Sequence, residues 1–225
     1  MADEEIAAIR HRHDPAAAHH FETLEQEHSA NVLGMWIFLA TEVMLFGGMF
    51  LAYALYRATY PGAFETAATH QNLVAGSINT AVLIVSSLMM ALAVRSAQIG
   101  SRRGLRIFLA LTALFGVIFL GIKALEYYQH YQEGLVPGLR FTLTGAEANG
   151  AALFFFLYFV MTGLHAIHLT IGVGLVLIMM LRGWRSGAYT GVEHYTPVDL
   201  LGLYWHFIDI VWLFLFAVLY LIATH

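Results

Sequence analysis

Glu42 sits inside an unbroken apolar stretch, and its neighbours one helical turn away, Phe38, Leu39, Leu45 and Phe46, are all hydrophobic. A bare carboxylate in hydrocarbon costs roughly 2.5 to 3.5 kcal/mol on insertion scales. Glu42 must therefore carry a proton or meet a polar group or water from another helix. Two roles follow: a proton-handling or water-coordinating group, or a neutral helix-to-helix hydrogen bond. Gly47 and Gly48, just beyond, would let a helix or a lipid approach closely. Lys123 and Glu126 are three residues apart, with His130 four further on, a spacing that supports a structural ion pair near the outer interface. There Lys123 can snorkel outward. His165 and His168 share one helix face, but residues three apart cannot approach a porphyrin from its two opposite sides, so one haem would need a ligand from a second helix. His206 and Asp209 are again three apart. Asp209 falls about 14 Å along its helix from Leu200, and is expected to pair with His206, Arg182 or another helix. All three histidines are expected to hydrogen-bond to a neighbouring helix.

These groups matter because the rest of the chain offers so little chemistry. Of 225 residues, 59% are hydrophobic and 12% charged, about half the charged share of an average soluble domain. The surface therefore suits a bilayer. A formal net charge of −4 gives no electrostatic footprint for nucleic acid. Cysteine is absent, which removes disulfides, thiolate metal sites, iron–sulfur clusters and a cysteine nucleophile together. Histidine and carboxylates remain.

The elements that must position them are transmembrane helices, each needing about 20 apolar residues to cross about 30 Å of hydrocarbon. Five stretches qualify: Asn31 to Tyr56, Asn72 to Val94, Arg106 to Tyr128, Gly150 to Leu181 and Leu200 to Ala223. None alternates with the period of a strand. The sequence predicts an all-α integral membrane protein, with residues 30–225 as the five-helix domain and residues 1–29 as a polar tail. That tail holds His11, His13, His19, His20 and His28 and lacks the apolar core of a cleavable signal peptide, so the first apolar run is read as a permanent span. No role is assigned to the tail. Basic residues favour the cytoplasmic side. Arg10, Arg12, Arg95, Arg102, Arg103, Arg106, Arg182 and Arg185 lie on the N-terminal side, against Arg57 and Arg140 opposite. The N-terminus is thus expected in the cytoplasm and the C-terminus outside. Tyr53, Tyr56, Tyr60, Tyr127, Tyr128 and Tyr131 are read as outer anchors, and Trp184 and Trp205 as inner ones.

The string Trp205-His206-Phe207-Ile208-Asp209-Ile210-Val211-Trp212 closely resembles the last-helix signature of subunit III of haem–copper cytochrome oxidases. Further matches follow in the same order along the chain. They are Glu42 within Ala40-Thr41-Glu42-Val43-Met44, Asn79-Thr80-Ala81-Val82-Leu83, Glu126-Tyr127-Tyr128, and Gly163-Leu164-His165-Ala166-Ile167-His168. Together they touch all five spans, so the chain looks like the shorter bacterial form without two extra N-terminal helices.

The resemblance implies a V-shaped bundle whose cleft holds phospholipids, in a multi-pass protein of the bacterial cell (inner) membrane. It also implies a subunit without a redox centre, packed directly on subunit I beside subunit II, with room for a small subunit IV. Cytochrome c is the implied electron donor, and haem and copper belong to the partner subunits. Absent cysteine and only three intramembrane histidines agree, since subunit I uses six histidines for two haems and a copper. The family's cleft is associated with oxygen access, and the subunit with proton uptake and resistance to inactivation. Glu42 matches the family's carbodiimide-reactive glutamate. Arg182 falls on the position of a lipid-phosphate arginine, which suits a bidentate guanidinium. The loop from Gly183 to Asp199 departs from the family pattern, so no contact is carried over there. Competing readings are the third subunit of a quinol oxidase, the related subunit of a nitric oxide reductase, a haem-bearing membrane cytochrome, and a stand-alone proton-coupled transporter or channel. The last lacks the internal repeat common in transporters.

Overall fold

The computed structural model describes residues 24–142, 147–186 and 195–221. The tail histidines His11, His13, His19 and His20, and residues 187–194 of the last loop, lie outside the described residues. Five helices are long and apolar enough to cross a membrane: α1 (Leu24–Thr59), α3 (Leu73–Gln98), α4 (Arg102–Gln132), α5 (Ala148–Ser186) and α6 (Thr196–Phe216). A π-helical turn, Ala217–Leu221, continues α6. Two small elements escape a hydropathy reading because neither is membrane-sized. One is helix α2 (Pro61–Ala68), with proline in its first turn. The other is an antiparallel hairpin, β1 (Leu135–Val136) with β2 (Arg140–Phe141). The hairpin turns at Pro137-Gly138, where Gly138 has φ +81°, a conformation glycine adopts without strain.

The helices outrun their apolar cores, because backbone hydrogen bonding continues wherever side chains permit it. Leu24 to His28 are mostly good helix formers, so α1 starts inside the segment read as tail, and His28 Nδ1 meets Thr196 Oγ1 at 3.0 Å. Helix α3 starts where the Asn72 side chain accepts from the Ala75 N–H at 3.0 Å, and α4 where Ser101 accepts from Gly104 at 3.3 Å. Helix α4 runs on to Gln132, which brings His130 into the bundle beside the three histidines expected there; of the four, His130 and His165 are fully buried.

Packing follows heptad stripes. The buried residues of α4 include Leu105, Leu109, Thr112, Gly116, Phe119, Lys123, Glu126 and His130, spaced alternately by four and three. Helix α3 offers Gly76, Asn79, Leu83, Ser86, Met90, Ala93 and Ala97, a face of mostly small residues that lets two backbones approach closely. These two helices form the most extensive pair. Helix α4 also packs on α5, and α6 fits against α3 and α5. Helix α1 packs chiefly on α5 and α6, and most of its apolar surface stays exposed. A Cβ built on Gly47 or Gly48 would meet nothing within 4 Å, so no described helix uses that approach.

Two expected interface anchors are core residues instead. Trp205 is fully buried. A Cβ at Gly116 would lie 3.1 Å from its ring and one at Gly172 3.2 Å, so two glycines on two helices make the slot it fills. Tyr53 is buried as well, its hydroxyl donating to the Val218 carbonyl at 3.1 Å. Tyr56, Tyr60, Tyr128 and Tyr131 remain exposed.

Candidate functional site

Glu42 and His168 are the midpoints of α1 and α5, and the packing of these helices brings them together. Glu42 Oε2 lies 3.0 Å from His168 Nε2, both side chains about seven-eighths buried at 14% and 13% exposure. The contact is close but off hydrogen-bond alignment. His168 Nδ1 lies 2.8 Å from the Leu164 carbonyl. A carbonyl can only accept, so Nδ1 carries a hydrogen, and Nε2 is the ring nitrogen that faces the carboxyl. That resolves the isolation of Glu42 on its own helix. Sequence reasoning had both residues but not their pairing, because it requires the crossing of α1 over α5. The Tyr204 hydroxyl donates to the His168 carbonyl at 3.0 Å and ties α6 to the same place.

This pair lines a largely apolar groove of about 650 Å³ between α1, α5 and α6. Met35 and Phe38 form its α1 wall, Ile171, Leu175 and Ile178 its α5 wall, and Leu200 and Leu201 its α6 wall. Arg182 lines the same groove, about 21 Å along α5 from His168 at about 1.5 Å per residue.

The second polar centre lies inside the bundle. Lys123 Nζ makes three contacts, to Glu126 Oε2 at 3.1 Å, Tyr158 OH at 3.0 Å and Tyr220 OH at 2.9 Å, which uses all three ammonium hydrogens. The Tyr158 hydroxyl donates to Glu126 Oε1 at 2.7 Å, and the Tyr220 hydroxyl donates to the same oxygen. Rings of Tyr127, Tyr158, Trp212 and Tyr220 surround the ammonium, with centroids 4.9 to 5.6 Å away. The expected ion pair is present, but it does not snorkel. Lys123 is 4% and Glu126 3% exposed. The α4 heptad stripe explains this, since both residues fall on its buried positions, a signal already readable in the sequence.

The remaining sites divide. His206 reaches another helix, with Nδ1 2.7 Å from Ser87 Oγ on α3. His165 does not: neither ring nitrogen has a hydrogen-bond partner among the described residues, and the ring packs between Phe119 and Trp212 at 5.5 and 5.2 Å. Burial among aromatic rings, rather than a polar bridge, accounts for its place. Asp209 is buried and forms no ion pair with His206 or Arg182; Ser87 stands beside it without hydrogen-bond geometry. Among the described residues, His165, His168, His206 and Asp209 therefore form no single network. Among the described residues, no cluster of three or more His, Cys, Asp or Glu side chains is placed to hold a metal ion.

The sequence model for cytochrome c oxidase subunit III matches residues 16–224. The chain is 36% identical over 192 residues to cytochrome c oxidase subunit 3 of Thermostichus vulcanus, covering 85% of this chain and 87% of that one. It is 31% identical over 194 residues to quinol oxidase subunit 3 of Bacillus subtilis, covering 86% and 87%. It is 30% identical over 196 residues to cytochrome bo(3) ubiquinol oxidase subunit 3 of Pseudomonas aeruginosa, covering 86% and 85%. Five membrane-length helices and these bacterial relatives make it a multi-pass protein of the bacterial cell (inner) membrane. With a match that runs through every span, the chain belongs to the cytochrome c oxidase subunit III family of haem–copper oxidases.

Proposed function

We propose that this chain is the non-redox subunit III of a proton-pumping terminal oxidase that takes electrons from cytochrome c and reduces oxygen to water. Its own task is to bind phospholipid in the α1/α5/α6 groove and to stabilise subunit I, with the N-terminus in the cytoplasm. The observation that carries this reading is one largely apolar groove lined by Glu42, by His168 in contact with it, and by Arg182 further along α5. A phosphate at Arg182 would accept two parallel N–H bonds, while its acyl chains lie along the apolar walls. Glu42 and the Trp-His-Phe-Ile-Asp string favour cytochrome c as donor. The matches to quinol oxidase subunits support the second reading, a quinol-oxidising complex with the same lipid site.

Purification of the native membrane complex through a tag on this chain is expected to bring down a haem-containing partner. Recovery of the chain alone would sink the reading, and oxidation of reduced cytochrome c or of a quinol by the purified complex identifies the donor. Arg182→Ala is expected to remove a phospholipid from the complex, by mass spectrometry, and to shorten the active lifetime during turnover; unchanged lipid content refutes the headgroup role. Carbodiimide labelling of the chain is expected to disappear in Glu42→Gln. Labelling that persists would show that another acid reacts.

A further inference from the structure

Helices α1 and α6 run parallel, as a ladder of ring pairs shows: Phe38 with Tyr204, Phe46 with Phe207 and Phe50 with Phe214, centroids 6.0 to 6.4 Å apart. His28 extends that ladder at its N-terminal end, with Nδ1 3.0 Å from Thr196 Oγ1 and the ring 5.9 Å from Tyr195. The contact continues two walls of the groove that holds Glu42. His28, Met35 and Glu42 recur every seven residues and so share one face of α1, and the latter two line the groove. Thr196 adjoins Pro197 and precedes Leu200 by one turn, and both of these line it from α6.

The third wall brings a cation to the same end. Helix α5 runs antiparallel to α1, since Tyr53 meets Phe154 while Glu42 meets His168. His28 and Arg182 each lie fourteen positions from the Glu42–His168 contact, and on opposed helices that carries both toward one end of the groove. Arg182 and Pro197 line it together there. A largely apolar groove thus has at one end a guanidinium from α5, an imidazole from α1 and a hydroxyl from α6. The guanidinium fork matches two oxygens of a phosphate. With Nδ1 on Thr196, Nε2 is the ring nitrogen left to meet a ligand, and it donates when Nδ1 accepts from the hydroxyl or when the ring is protonated.

We propose that Arg182, His28 and Thr196 form one phosphate site, so that a single phospholipid headgroup fastens α1 to α5 and α6 at this end of the groove. The inference rests on the reading of the groove as a lipid site. It adds the donors that select a phosphate-bearing lipid and makes that lipid a bridge between helices. Helix α1 has most use for a bridge: its most apolar stretch is 11% buried, against 28% to 50% in the other spans.

The test takes the intact complex, strips its lipid in detergent, and returns it to detergent micelles that contain phosphatidylglycerol or diacylglycerol with the same acyl chains. Native mass spectrometry then counts the lipid retained. The wild type is expected to retain phosphatidylglycerol in preference. His28→Phe keeps a ring against Tyr195 and removes both nitrogens; it is expected to lower phosphatidylglycerol retention about tenfold, the scale of a hydrogen bond to a charged group, and to leave diacylglycerol retention unchanged. Thr196→Val, which removes the anchor of Nδ1, is expected to lower it several-fold. Equal phosphatidylglycerol retention by wild type and His28→Phe overturns the proposal. An equal fall for both lipids overturns it too, since His28 would then be a clasp between α1 and α6 and no headgroup ligand. Displacement of the lipid by millimolar inorganic phosphate would assign the site to a free anion and has the same force. Failure of the lipid reading itself is distinguishable, because the wild-type complex then retains neither lipid.

Discussion

Lys123→Leu is expected to destabilise the bundle by about 3–5 kcal/mol, the cost of leaving one member of a buried ion pair without its partner. The Glu126 carboxylate would keep its two tyrosine donors but lose the cation that balances it. Lys123 and Glu126 come from α4, Tyr158 from α5 and Tyr220 from the turn after α6, so the damage spreads to three segments. Thermal denaturation in detergent measures the loss. The sharper check is the double variant Lys123→Leu, Glu126→Leu, which removes both charges and is expected to recover most of the stability. If the single variant melts with the wild type, the pair does not hold the helices together. If the double variant falls further than the single one, the tyrosine hydrogen bonds rather than charge balance dominate.

Trp205→Ala is expected to cost about 3 kcal/mol, at the lower end of the range for emptying a buried aromatic site. The lower end applies because lipid tails are as apolar as a protein core, so transfer from water contributes little and lost packing contacts contribute most. The slot is rigid: its sides are the backbones at Gly116 and Gly172, which cannot rotate into the void. Trp205→Phe should recover part of the loss. A melting midpoint unchanged by Trp205→Ala would mean that the slot collapses and that the ring is not what sets the spacing of α4 and α5.

The number of spans, the absence of a thiolate site and the identity of Glu42, Arg182, His206 and Asp209 as groups needing partners are all legible from residue types alone, because hydrocarbon penalises polarity so strongly. Some of the burial is legible too. The alternating four-three stripe of α4 marks Lys123, Glu126 and His130 as interior, a stronger signal than distance from the helix end. The loss of Trp205 and Tyr53 as anchors has the same origin: an aromatic near a span end is ambiguous until its heptad position is known.

Pairing is another matter. Glu42 meets His168 across 126 positions of sequence, His206 meets Ser87 across 119, and His165 meets only rings. Each partner is set by how two helices cross and rotate, which depends on the summed fit of many small contacts rather than on either residue. The amino-acid sequence by itself determined that five helices span a membrane and which few side chains could not remain bare there. Only the tertiary structure decided which of them meet, which groove holds Glu42 with Arg182, and which side of α6 carries His206, because helix crossing is a collective property of the packed bundle.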